Sequence, residues 1–218
     1  MERQGSRFHR HGLLCSTLHM RLFVALDIDR EIRERISFFI QGVHGLAPNA
    51  RWVSPESLHV TLKFIGEQPE DKRPEIEEAL ETVSGKGFDL RFRGCGFFPN
   101  AEAARVFWIG IEAGPALSEL AANVDASLAQ VGIPKETRTF SPHLTLARAG
   151  NRSGAPGRLH GDRPNQVFAG LRDRAEQLSA QEFGTMTARE YFLYQSKLSS
   201  QGAKYTKLAR FELTRQEP

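Results

Sequence analysis

The chain has 218 residues, of which 40% are hydrophobic and 25% are charged, and its formal net charge is +3. This composition is typical of a globular protein that can bury a real core, and no apolar run approaches the roughly 18 residues needed to cross a bilayer. We therefore expect no membrane partner. The two cysteines, Cys15 and Cys95, provide neither a disulfide framework nor a metal-ligand spacing, so we expect a reducing, cytoplasmic setting.

Residues 1–19 are rich in arginine and histidine and precede the first strand pattern. Their short apolar stretch is interrupted by charged side chains, which favours a disordered extension over a signal peptide. The extension carries a net charge of +2, so residues 20–218 are almost neutral, at +1. This argues against a protein that coats nucleic acid with a broad basic surface, but not against a focused anion site.

The first half of the chain predicts alternating strands and helices. A buried strand is expected in "RLFVALDI", which begins at Arg21, and an amphipathic helix is expected in "REIRERISFFIQGV". In the next strand, "SLHVTLKF", His59 and Thr61 share one face because strand side chains alternate. A helix in "EDKRPEIEEALETVSG" and a strand in "GFDLRFRGCGFF" complete this half.

The second half repeats this order at a fixed offset. "RVFWIGIE" begins at Arg105, and "SPHLTLAR" repeats the H-x-T-L pattern with His143 and Thr145. The separation of Arg105 from Arg21 equals that of His143 from His59. Helices are predicted in "PALSELAANVDASLAQVG" and around "NQVFAGLRDRAEQLSA", followed by strands in "AREYFLYQSKL" and "AKYTKLARFEL". The Gly-, Pro- and Arg-rich residues 150–165 predict a loop.

This repeat predicts an α+β fold of two similar lobes related by a pseudo-twofold axis. Each lobe is expected to be a mainly antiparallel sheet with helices packed on its outer face, and the two H-x-T-L strands should line a cleft between the lobes. Residues 20–218 would form one bilobal domain, with repeat halves at about 20–98 and 104–213. Because one chain supplies both halves of the site, we expect a monomer.

The repeated histidine and threonine indicate a reaction site, since a solvated face has no reason to keep both residues in both halves. Two imidazoles across a cleft can act as general acid and general base near pH 7, and threonine hydroxyls can hold an anionic oxygen. Arg148 is a candidate phosphate ligand, although strict alternation places it on the face opposite His143. Phe140 is a candidate for stacking on a base, whereas Phe64 is expected in the core.

Two other uses of these residues have weaker support. No Asp, Glu or Cys accompanies the histidine within either motif, which makes a poor metal-ligand set, so no metal is expected. Ser141 lies near His143 in sequence, but no acidic partner or nucleophile elbow accompanies it.

The chain resembles the two-histidine phosphoesterase superfamily, and within it the RNA 2′,3′-cyclic phosphodiesterases of the bacterial and archaeal 2′-5′ RNA ligase branch. Five stretches between residues 20 and 213 carry the resemblance: "RLFVALDI", "WVSPESLHVTLKFIGE", "RVFWIGI", "SPHLTLAR" and "LYQSKLSSQGAKYTKL". It implies hydrolysis of an RNA-terminal or nucleoside 2′,3′-cyclic phosphate to the 2′-phosphate without a metal or other cofactor, and it allows the reverse 2′-5′ ligation.

The resemblance also implies roles for individual residues. His59 would be the general acid that protonates the departing 3′ oxygen, and His143 would be the general base that activates water. Thr61, Thr145 and Arg148 would contact the phosphate. Two alternatives stay open: a phosphodiesterase for another small cyclic phosphate such as ADP-ribose 1″,2″-cyclic phosphate, and a non-catalytic module that binds RNA or nucleotides.

Overall fold

The computed structural model describes residues 18–150, 166–199 and 202–214. Of the predicted extension, residues 1–17 lie outside this part, and the same holds for residues 151–165 of the predicted loop. Within the described ranges, no helix combines the length and the apolar character needed to span a membrane.

Strands and helices alternate along the chain much as the sequence predicts. The first half contains β1 (His19–Leu26), α1 (Arg30–Val43), β2 (Ala50–Trp52), β3 (Val60–Pro69), α2 (Arg73–Glu81) and β4 (Phe88–Phe98). The second half contains β5 (Val106–Glu112), α3 (Ala116–Gln130), β6 (His143–Ala149), α4 (Ala169–Arg172), α5 (Ala175–Ser179), β7 (Glu182–Ala188), β8 (Glu190–Ser199) and β9 (Gly202–Glu212). Two short helices, α4 and α5, thus replace the single helix predicted there.

All strands in the described ranges belong to two antiparallel sheets, which confirms the predicted α+β architecture of two lobes. One sheet has the order β3-β1-β8-β9, and the other has the order β2-β6-β5-β4-β7. The two longest helices follow the predicted amphipathic pattern: α1 buries Ile32, Ile36 and Ile40, and α3 buries Leu117, Leu120, Ala121, Val124 and Leu128. These side chains join one core cluster with buried residues of both sheets.

The two sheets have matching strand orders, but the lobes do not coincide with the repeat halves. β1 pairs with β3 as β5 pairs with β6, and the strand on the other side is β8 in one sheet and β4 in the other. The first-half strand β4 therefore lies in the sheet of the second motif, and β8 and β9 lie in the sheet of the first. A sequence repeat shows similar segments but not their pairing, so it does not predict this exchange.

The pairing also refines the repeat. Thr61 of β3 pairs with Ala25 of β1, whereas Thr145 of β6 pairs with Trp108 of β5. Ala25 and Trp108 are one residue closer together along the chain than Thr61 and Thr145 are. The partner strands therefore correspond at an offset one position shorter than that of the motif strands. The expected equivalence of Arg21 with Arg105 is wrong for this reason.

Candidate active site

A β-bulge occurs at the same place in both motif strands. In β6 the register against β5 shifts at Leu146, which is an extra residue without a partner. In β3 the register against β1 shifts in the same way at Leu62, the matching position of the first motif. An extra residue reverses the alternation of the side chains that follow it. In each strand, the side chain five positions after the histidine therefore lies on the same face as that histidine.

In β6, the bulge places Arg148 on the same face as His143. Two buried residues follow one another at the bulge, and Arg148 is then exposed on the face of His143. Its positive charge contributes to lowering the pKa of His143 and also that of His59, after the larger effect of burial. The guanidinium thus lies near both imidazoles. Strict alternation placed it on the wrong face because apolar patterning does not reveal a bulge.

Phe64 holds the place of Arg148 in the first motif, because it follows His59 at the same spacing. Its side chain is 61% exposed, and its ring centroid lies 6.3 Å from that of Phe23. Phe23 also contacts the His59 ring, at 4.8 Å between centroids. An exposed aromatic ring therefore flanks the first histidine. The sequence favoured a core position for Phe64, and the bulge again explains the difference.

The same hydrogen bond holds both histidines. Nδ1 of His59 lies 2.7 Å from the backbone carbonyl oxygen of Ser57, and Nδ1 of His143 lies 2.7 Å from that of Ser141. Because a carbonyl oxygen can only accept, Nδ1 carries the proton and donates it. The neutral ring then presents an unprotonated Nε2. The order S-x-H in both motifs is the sequence signal for this arrangement.

The two imidazoles differ in how far the protein encloses them. Among the described residues, His143 meets one ring edge-on, that of Phe98, at 4.9 Å between centroids. His59 is surrounded by three rings: Phe23 at 4.8 Å, Tyr205 at 5.1 Å and Tyr194 at 6.2 Å. Burial lowers the pKa of His59 to about 4 and lowers that of His143 as well. Both rings are therefore neutral near pH 7 in the free protein.

A carboxylate lies close to His59. Asp27 and His59 line one cavity of about 320 Å³, and the negative charge of Asp27 raises the pKa of His59 against the larger opposing effect of burial. Two cations hold this carboxylate: Arg33 at 2.6 Å and Lys207 at 2.5 Å. The residue paired with His143 in β5 is Gly110, which has no side chain to play this part.

The threonines lie where the sequence predicts, two positions beyond their histidines and before the bulge. Thr61 and Thr145 are both half-buried, and within the described ranges neither hydroxyl bonds to another protein group. Phe140 is half-buried and packs against the core cluster, so its stacking role stays a prediction. Among the described residues, no three His, Cys, Asp or Glu side chains are grouped to hold a metal ion.

Comparison with known proteins places this repeat in a family. The family model for LigT-like phosphoesterases matches the chain twice, over residues 26–108 and 109–205. The chain belongs to the LigT-like phosphoesterase family. Each match contains one H-x-T-L strand, so the family model and the internal repeat divide the chain at nearly the same point.

Relatives of this family member align over most of its length. A protein from Archaeoglobus fulgidus named RNA 2′,3′-cyclic phosphodiesterase is 36% identical over 193 residues, which cover 88% of this chain and 100% of the relative. A protein of the same name from Methanothermobacter thermautotrophicus is 32% identical over 198 residues, covering 90% and 100%. The crystal structure of E. coli LigT complexed with 3′-AMP has a TM-score of 0.69 at 26% identity, covering 90% of this chain and 99% of that one. The predicted family is thereby confirmed.

Proposed function

We propose that the protein hydrolyses the 2′,3′-cyclic phosphate of RNA ends or nucleosides to a 2′-phosphate, with His59 and His143 as an acid–base pair. One observation carries the proposal: in both bulged H-x-T-L strands, Nδ1 of the histidine donates a hydrogen bond to a serine carbonyl oxygen. Arg148 lies near both imidazoles, because its charge contributes to lowering the pKa of each. The names of the curated relatives support the cyclic phosphate as substrate. The 3′-AMP bound to E. coli LigT supports a ribose phosphate in the cleft.

His143 is the general base in this mechanism. Its neutral ring points an unprotonated Nε2 away from the Ser141 carbonyl, so it accepts a proton from water as the water oxygen bonds to phosphorus. The bond from phosphorus to the 3′ oxygen then breaks, and His59 gives its proton to that oxygen. The 2′ oxygen keeps the phosphate, and each histidine ends in the protonation state with which the other began.

His59 must gain a proton before it can act as the acid, because its pKa in the free protein is about 4. The negative charge of a bound cyclic phosphate raises this pKa, and low local polarity strengthens the effect. Asp27 adds a fixed negative charge beside His59, whereas His143 pairs with Gly110. This asymmetry supports His59 as the acid and His143 as the base.

The remaining groups bind the phosphate and the base. The hydroxyls of Thr61 and Thr145 donate hydrogen bonds to the two non-bridging oxygens, whose negative charge grows in the transition state. Arg148 adds a full positive charge beside them. Phe64 offers an exposed ring for the nucleobase, and Phe140 is the alternative. In the 2′-5′ ligation, a 5′-hydroxyl of a second RNA attacks the same phosphorus in place of water, the bond to the 3′ oxygen breaks, and the transition state carries the same negative charge on the non-bridging oxygens.

We infer that one chain acts alone, since it contains both motifs, and that it works in the cytoplasm. The cytoplasmic setting fits Cys95, a free cysteine whose burial raises the pKa of its thiol to about 12 and so suppresses the reactive thiolate. Sedimentation of the purified protein tests the first inference.

The experiment that tests the activity offers the protein four nucleoside 2′,3′-cyclic phosphates, a cyclic-phosphate-ended oligonucleotide and ADP-ribose 1″,2″-cyclic phosphate. We expect 2′-phosphate products, unchanged rates with a chelator, and no turnover by His59→Ala or His143→Ala, although both variants still bind the product. If the wild-type protein turns over no cyclic phosphate, the alternative of a non-catalytic module that binds RNA or nucleotides is favoured. Strong preference for the ADP-ribose compound would favour that alternative substrate.

A further inference from the structure

Three arginines lie on the sheet faces that carry His59 and His143, without a carboxylate partner in the described part of the chain. They are Arg21 in β1, Arg51 in β2 and Arg148 in β6, and all three are exposed. Arginines elsewhere commonly form ion pairs, as Arg33 does with Asp27 and Arg91 does with Glu182. The three charges of the cleft therefore remain available to an anion from outside the protein.

Arg51 and Arg148 lie directly opposite each other in the antiparallel pair of β2 and β6. Directly opposed residues project from the same face of a sheet, and like charges at such positions repel. The neighbouring pair, Trp52 and Ala147, faces the core, since Ala147 is fully buried, so the two arginines face the cleft. Nothing inside the described protein offsets this repulsion, whereas a bound phosphate would.

Arg21 approaches the same place from the other lobe. It alternates along β1 with Phe23 and Ala25, which form the cleft-side cluster around His59. Partial desolvation of its guanidinium by the surrounding groups lowers the pKa of Arg148, although its side chain still reaches solvent, and the charges of Arg51 and Arg21 lower this pKa further, while Tyr205 acts in the opposite direction. Glu67 faces Arg21 across β1 and β3, but the two side chains form no ion pair in the structure as described.

We propose that Arg21 and Arg51, beside the Arg148 that contacts the cyclic phosphate, form a second phosphate site, which binds the phosphate on the 5′ side of the terminal nucleoside. This inference rests on the proposed function. A ribose with a cyclic phosphate at its 2′ and 3′ oxygens carries the next phosphate of the chain on its 5′ oxygen, one nucleoside away. The guanidinium group of arginine binds such phosphates through two parallel N–H donors. The protein therefore selects oligonucleotide ends over isolated cyclic nucleotides.

The test compares adenosine 2′,3′-cyclic phosphate with the dinucleotide that ends in the same group. The wild-type kcat/KM should be higher for the dinucleotide, and Arg51→Gln and Arg21→Gln should each lower the ratio of the two values about tenfold, since a charge-assisted hydrogen bond is lost. Arg174→Gln is the matched control, because Arg174 is exposed on the short segment between α4 and α5, outside the cleft. It should keep the wild-type ratio.

A dinucleotide with an uncharged methylphosphonate linkage separates charge from shape. The wild-type protein should lose its preference with this substrate, and Arg51→Gln should treat the charged and uncharged dinucleotides alike. Thermal unfolding of Arg51→Gln should match or exceed that of the wild type, because the repulsion with Arg148 is relieved. An unchanged ratio in both variants, or equal wild-type rates with both linkages, would overturn the second site. Absence of wild-type turnover on both the cyclic mononucleotide and the dinucleotide would instead overturn the proposed function.

Discussion

The buried imidazole of His59 should make the fold sensitive to mild acid. Burial lowers its pKa from an unfolded value of about 6.5 to about 4 in the folded protein. Between these values the unfolded chain binds more protons than the folded protein, so the free energy of unfolding falls as pH falls from 6.5 toward 4. The stabilisation is complete above pH 6.5.

The expected size of this effect follows from the two pKa values. At pH 5 the linkage costs the folded state about 2 kcal/mol, and below pH 4 it approaches about 3 kcal/mol. pH 5 is the better condition, because most carboxylates remain ionised there. His59→Gln keeps a polar side chain of similar reach but cannot take up the proton.

Urea unfolding of both proteins at pH 7 and pH 5 measures the effect. The wild-type protein should lose about 2 kcal/mol more than His59→Gln over this interval. A direct check is the NMR titration of the His59 ring, which should show its midpoint well below that of a free histidine. An equal loss of stability in both proteins, or a ring that titrates near pH 6.5, would refute the argument from burial.

Three further predictions test other parts of the protein by substitution. Asp27→Asn removes a negative charge that raises the pKa of His59, so the high-pH limb of the kcat profile should move to lower pH. Phe64→Ala should raise KM for cyclic nucleotides about tenfold at similar kcat, because one base stack contributes about 1–3 kcal/mol, whereas Phe64→Tyr should not. Asp125→Asn should lower the free energy of unfolding by about 3 kcal/mol, because the buried ammonium of Lys63 then lacks a negative partner and keeps only its hydrogen bond to the Pro134 carbonyl oxygen. Lys63→Met should cost less in the same urea assay, since Asp125 is nearer the surface.

Each of these predictions has an opposite outcome. An unshifted pH limb in Asp27→Asn would mean that Asp27 only supports the local structure. A kcat loss with constant KM in Phe64→Ala would place that ring away from the base. A larger cost for Lys63→Met than for Asp125→Asn would contradict the reasoning from burial.

The sequence predicts the lobes, the order of elements and the two histidines because each of these depends on local pattern. Apolar spacing marks α1 and α3, and the repeat of H-x-T-L reveals both motifs. The sequence does not predict the side of the sheet on which Arg148 and Phe64 lie, since that depends on a bulge. A bulge is a property of pairing between strands, and residues of one strand do not encode it by alternation alone.

Two further features of the site depend on pairing between distant segments, which the sequence repeat does not reveal. The opposition of Arg51 and Arg148 requires β2 to join the edge of β6, which lies far later in the chain. Asp27 follows β1 and gives no sign in sequence that it lies beside His59. The proton roles depend on such contacts, so the sequence alone leaves the acid and the base exchangeable.

The exchange of strands between lobes has a mechanical consequence. The chain passes from one sheet to the other between β1 and β2, between β2 and β3, between β3 and β4, and between β7 and β8. The last of these passages consists of Arg189 alone, because β7 ends at Ala188 and β8 begins at Glu190. A hinge requires a few loose connections. Four crossings of the chain join these lobes instead, so we expect His59 and His143 to keep their relative positions when a substrate binds.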